Sequence, residues 1–171
     1  MRNLNLSISI LVLITGLTFS SCKKSKDPSP TDNLIGTWTT GASTVSIMVG
    51  SITLTQYAID VLDLTTTEAQ LYTTVFTELV KQGFTGTIQI KSDNTYTSTV
   101  GGVADSGTWI LSADSKKLTI DSSTDVPMIF DIVELTAQSL KLKIEQTESE
   151  DLNEDDIPES LNVKADINLT K

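Results

Sequence analysis

Histidine is absent from the 171 residues, and cysteine occurs once. Without imidazole there is no Ser-His or Cys-His pair, no HExxH zinc motif and no imidazole base. A single Cys excludes an intrachain disulfide and any multi-thiolate metal site. Aromatic residues make up only 5% of the chain, which leaves no evident platform for stacking sugars. Basic residues are outnumbered: 12 Lys+Arg face 22 Asp+Glu, for a net charge of −10. Sequence-independent binding to nucleic acid needs clustered cations on phosphate, so that partner is not expected. Gly101-Gly102 lies between strand-like segments and leads into no helix, so it is no phosphate cradle. No Ser-x-x-Lys opens a helix in the folded part, and no carboxylate pair stands out for glycosidase work. The expectation is a protein that is not an enzyme and carries no cofactor or metal. Hydrophobic content of 39% and a mean hydropathy of +0.02 fit neither a disordered tract nor a polytopic membrane protein. The length suits one domain, or one domain plus a tail.

What is present begins with a leader. Arg2 precedes a charge-free stretch to Cys22, with its apolar centre at Ile8–Leu17. A positive start, an apolar run of about ten residues and small residues before a cut site make a secretory signal, here residues 1–21. An uncleaved membrane span is the competing reading, but Asn3, Asn5, Ser7, Ser9, Thr15 and Thr18 dilute the stretch. The site Phe19-Ser20-Ser21-Cys22 resembles the lipobox of bacterial lipoproteins, although Phe19 stands where Leu is usual. That resemblance implies acylation of Cys22 and a membrane partner reached through an N-terminal lipid anchor. Residues 22–32 hold Lys23, Lys24, Lys26, Pro28 and Pro30, and read as an extended tether.

Beyond the tether the hydrophobic pattern has period two. Gly36–Thr40, Thr87–Lys91, Thr95–Val100, Ser106–Ser112, Lys117–Asp121, Val126–Leu135, Ser139–Thr147 and Leu161–Thr170 read as eight strands. Leu140, Leu142 and Ile144 alternate with Lys141, Lys143 and Glu145, and Leu161–Thr170 alternates in the same way. Val126–Leu135 is apolar on both faces, which predicts cover on both sides. Mostly antiparallel strands joined by hairpins suggest a closed up-and-down barrel, with a sandwich of seven or eight strands as the alternative. The fold class is therefore mainly β. Trp38 and Trp109 read as core residues that plug the barrel.

One segment departs from this period. Thr65–Gly83 is helical in pattern, with Leu71, Val75 and Leu79 on one stripe and Tyr72, Phe76 and Val80 beside it. Thr65 with Glu68 fits a capping box, and Gly83 fits the helix end. The stripe Leu71, Val75 and Leu79 needs a partner, which predicts a lid across one barrel end. In residues 43–64, Thr44–Val49 alternates like a strand and Gln56–Leu62 suits a short helix.

The order Leu34-Ile35-Gly36-Thr37-Trp38, Phe84 to Lys91, Asp93-Asn94-Thr95-Tyr96, Ser106-Gly107-Thr108-Trp109 and Leu118-Thr119-Ile120 resembles the lipocalin-like domains of Bacteroidetes lipoproteins. The likeness covers residues 33–171. It implies a barrel with a helical insert after the first strand and with Trp38 at its closed end. It also implies a place in the cell envelope, anchored to the outer membrane. Surface-exported lipoproteins of such bacteria tend to be acidic after the Cys. Lys23, Lys24 and Lys26 point instead to the periplasmic face. The Arg that backs the Trp in lipocalins has no evident counterpart; Lys164 and Lys171 are the only basic residues near the last strand.

Glu145–Glu159 holds eight carboxylates. Asp151, Asn153 and Asp155 match the first three ligands of a calcium loop. Asp156 then stands where Gly is needed, and Asn162 where a bidentate Glu belongs, so a solvated hairpin loop is the better reading. Two functions remain. The barrel takes an apolar small molecule, or it is filled by its own side chains and serves as a structural or protein-interaction barrel. An apolar cavity of about 300 Å³ or more favours the first.

Overall fold

The structure is a computed structural model that describes residues 28–124 and 126–171. The leader of residues 1–21, Cys22 and the tether as far as residue 27 lie outside the described residues. The remainder of that tether is not extended. Ser29 caps a short helix, α1 (Pro30–Leu34): its Oγ accepts from the Asp32 amide at 3.1 Å, and the Asp32 carboxylate accepts from the Ser29 amide at 3.0 Å. Pro30 at the first helical position lacks the amide that would go unpaired there, so the proline taken as tether chemistry starts a helix instead.

β1 (Gly36–Val49) is 14 residues long and joins the two segments that the sequence pattern kept apart. β2 (Ile52–Thr53), α2 (Leu54–Asp60) and α3 (Thr66–Gln82) follow. Then come β3 (Gly86–Ile90), β4 (Thr95–Val100), β5 (Val103–Leu111), β6 (Lys117–Ser122), β7 (Met128–Leu135), β8 (Ser139–Glu150) and β9 (Glu159–Thr170). All pairings are antiparallel, in the order β1-β3-β4-β5-β6-β7-β8-β9, and β9 returns to β1. The result is a closed eight-stranded up-and-down barrel, with β2 a small appendage on β1. Closure pairs the strands around the ring, so the barrel proper has no free edge to template aggregation.

β1 closes the barrel by serving two neighbours at different heights. Gly36–Thr39 pairs with β3, whereas Thr39–Val49 pairs with β9 across a register shift between Thr40 and Ser43. β8 and β9 stay paired from Ser139↔Thr170 to Glu150↔Glu159, but β7 reaches only as far as Lys143 on β8. The upper halves of β1, β9 and β8 therefore project past the barrel as a three-stranded extension.

Two apolar clusters follow from this shape. Inside the barrel lie Leu34, Trp38, Ile90, Tyr96, Trp109, Leu118, Ile120, Phe130, Leu140, Leu142, Ile144, Ala165, Ile167 and Leu169. The second cluster joins Ile47, Val49, Leu161 and Val163 of the extension to Leu54 and Tyr57 of α2, with Tyr72, Phe76 and Val80 of α3 packed against it. Leu161 and Val163 share strand parity with Ile167 and Leu169, so α2 and α3 cover the continuation of the barrel's inner face.

Two expectations are corrected here. The stripe Leu71, Val75 and Leu79 is not buried: these residues are 64%, 52% and 60% exposed. α3 turns its aromatic side inward instead, and Tyr72 stacks on Phe76 with ring centroids 6.0 Å apart. The two stripes sit one residue apart, about 100° around the helix, so hydropathy separates them poorly. Aromatic bulk and the Thr55–Thr73 hydroxyl contact at 2.9 Å select the other one. β7 is likewise not covered on both faces. Phe130 is buried, but Ile129 and Val133 are more than half exposed.

Candidate functional site

Periodicity places one side chain of every second residue inside the barrel, and it fills the two ends unequally. One end is sealed. α1 lies across it, with Leu34 fully buried above Trp38. The Trp38 indole Nε1 donates to the Leu34 carbonyl at 2.7 Å, so the plug is both apolar and hydrogen-bonded. Lys171 Nζ lies 4.6 Å from the centre of the Trp38 ring and donates to the Asn33 carbonyl at 2.5 Å. The cation behind the Trp thus comes from the last residue of the chain. Gly36 makes room for it: a Cβ there would sit 2.8 Å from the Lys171 side chain. Trp109, also buried, donates from Nε1 to the Lys91 carbonyl at 3.0 Å in the neighbouring β3–β4 turn. Both tryptophans are buried.

The other end holds a cavity of about 310 Å³. Its walls come from β1 and from β3 through β9, and are mostly Ile, Leu, Val, Phe and Met. Gly83 and Phe84, directly after α3, form part of its rim with Val103, Ala104 and Thr124. The Phe84 carbonyl accepts from the Thr40 hydroxyl at 2.9 Å, which ties the α3–β3 connection to the barrel wall. The end of α3 therefore borders the cavity, whereas Leu71, Val75 and Leu79 do not line it.

One charged group stands in this apolar wall. Asp105 is the inward residue two before Gly107 and four before Trp109 on β5. Tyr96 pairs with Gly107 across the β4–β5 ladder. The absence of a side chain at Gly107 lets the Tyr96 ring pass: a Cβ there would lie 3.0 Å from Tyr96 Cε1 and 2.0 Å from the Asp121 carbonyl oxygen. The ring crosses that gap, and its hydroxyl donates to Asp105 Oδ2. Ser122 Oγ donates to Asp105 Oδ1 at 2.9 Å from the other neighbour, β6. The donation from Tyr96 outweighs burial and, with that from Ser122, holds the Asp105 carboxyl below its ordinary range. Burial and the same carboxylate push the Tyr96 phenol well above its ordinary value. Sequence reasoning missed Asp105 because it began this strand at Ser106; extending the alternation of Trp109 and Gly107 one step further would have found it.

The acidic loop between β8 and β9 does something else. Asp151 accepts from the amides of Asp155 and Asp156 at 3.1 and 2.9 Å, and Asp155 Oδ1 accepts from the Ile157 amide at 2.8 Å. Glu159 accepts from the Tyr57 hydroxyl and, at 2.8 Å, from the Leu152 amide. These carboxylates cap their own loop and fasten it to α2. Among the described residues no three acidic side chains converge on a point that would hold a metal.

No family model matches the chain, and no curated protein matches it. Among solved structures it is similar to a DUF4847-family protein from Bacteroides vulgatus at 12% identity, over 74% of this chain and 90% of that one, with a TM-score of 0.36.

Proposed function

We propose that this chain is a lipid-anchored protein of the cell envelope whose barrel takes one small apolar molecule. It acts by binding, not by catalysis. The observation that carries the reading is the cavity. About 310 Å³ of apolar-walled space lies at the lower end of the range for ligand pockets. A barrel filled by its own side chains leaves few voids larger than a water molecule. The bulk of the inward residues is concentrated at the Trp38 end, so one half of the barrel is packed and the other half is open for a guest.

The anchor rests on the sequence: the apolar leader, Ser20-Ser21-Cys22 and the basic residues that follow. It holds the barrel at a membrane, facing the periplasm. Solvent extraction of protein purified from its native envelope tests the cargo. A stoichiometric apolar molecule is expected in the extract, and the emptied protein is expected to bind a neutral hydrophobic dye. An empty extract together with no dye binding would favour the structural or protein-interaction barrel. Cys22→Ser tests the anchor and should release the protein from the membrane fraction or leave it as an uncleaved precursor. Unchanged size and retention would remove the lipid from this reading.

A further inference from the structure

We infer that the cavity selects an apolar molecule with a cationic, hydrogen-bond-donating head such as a primary amine, and that Asp105 is the group that reads it. This inference rests on the binding reading above and adds to it the sign of the ligand's charge.

The argument is one of unmatched charge. Asp105, whose carboxyl is held below its ordinary range, lines a mostly apolar cavity and takes part in no ion pair among the described residues. No Lys or Arg is found among the described residues that line the cavity. Tyr96 needs an acceptor for its hydroxyl, but a neutral amide or carbonyl would serve that purpose without placing a charge in an apolar wall. A carboxylate offers about four acceptor positions. Tyr96 and Ser122 each occupy one. The Ser106 backbone amide also bonds to it and takes a third, so a guest that enters the cavity meets a negatively charged acceptor with about one position to spare.

Three consequences follow for the guest. A fatty acid or other anion would place like charges together, which is disfavoured. A neutral alcohol would gain one hydrogen bond. An alkylammonium would gain a charge-assisted bond and neutralise the carboxylate. The excess of 22 acids over 12 bases in the whole chain adds a long-range field of the same sign, which draws cations and repels anions.

The test compares octylamine, octanol and octanoate, which share one tail, in displacing a neutral hydrophobic dye from the purified full-length protein. A hydrogen bond to a charged group corresponds to about tenfold to a hundredfold in affinity. Octylamine should therefore displace the dye at least about tenfold more tightly than octanoate. Octanol should fall between them. Asp105→Asn should collapse the ratio of amine to octanoate toward one. The wild-type ratio needs no variant, so the test survives if Asp105→Asn folds poorly. Octanoate equal to or better than octylamine overturns the inference and leaves the binding reading standing, as does a ratio that Asp105→Asn, folded by circular dichroism, leaves unchanged. Binding of neither the dye nor any of the three overturns both readings.

Discussion

Replacing Trp38 by Ala removes the largest side chain of the sealed end, one that is fully buried. Truncation of a buried aromatic in a core costs about 3–5 kcal/mol. The upper half of that range is expected here, because the Leu34 carbonyl also loses its donor and Lys171 loses the ring beneath it. Native domains are stable by about 5–15 kcal/mol, so roughly a quarter or more of the total is at stake. With a urea slope of about 2 kcal/mol per molar, the unfolding midpoint should fall by about 2 M. The chain has only two tryptophans, so Trp109 fluorescence follows unfolding of the variant without interference. Trp38→Phe separates the contributions. It keeps a ring in place but loses the indole donor, and should cost about 1–3 kcal/mol. Lys171→Met keeps the aliphatic stem and removes the charge; because Lys171 is exposed, about 0.5–1 kcal/mol is expected. A Trp38→Ala loss below about 1 kcal/mol would refute the sealed-end reasoning, since no fully buried aromatic in a well-packed core is that cheap to remove.

Two further outcomes follow from the packing and from the phenols. On α3, Leu71→Ala should change stability by less than about 0.5 kcal/mol, as at an ordinary surface site. Phe76→Ala, on the half-buried aromatic stripe, should cost about 2–3 kcal/mol, and a reversed order in urea titration would restore the stripe predicted from hydropathy. At alkaline pH, Tyr57 and Tyr96 are held protonated by burial and by their donation to Glu159 and Asp105. An unfolded tyrosine ionises near pH 10, so the folded state keeps protons that the unfolded state has lost, and stability falls as pH rises beyond about 10. Tyrosinate absorbance from these residues should appear together with loss of the β-sheet signal in circular dichroism. Ionisation of all three tyrosines near pH 10 in an intact barrel would contradict it.

The β-barrel was legible because strand alternation is a local property. Leu140, Leu142 and Ile144 against Lys141, Lys143 and Glu145 can take one orientation only, and the same holds for Leu161–Thr170. The capping box of Thr65 and Glu68 was legible for the same reason: its partners are three residues apart, and both of its bonds form. The absence of His and the single Cys bound the chemistry whatever the fold.

Tertiary structure decided what depends on residues far apart in the chain. Which stripe of α3 is buried depends on where β1 and β9 end, and no window of α3 contains that information. The cation on Trp38 comes from residue 171, across 133 positions of sequence. Asp105 becomes a cavity group only because Gly107 admits the Tyr96 ring and β6 brings Ser122 alongside. The cavity itself is a difference between the volume the closed strands enclose and the volume their side chains fill. Composition supplies the second quantity approximately; only the closed barrel, with its extension and one sealed end, supplies the first.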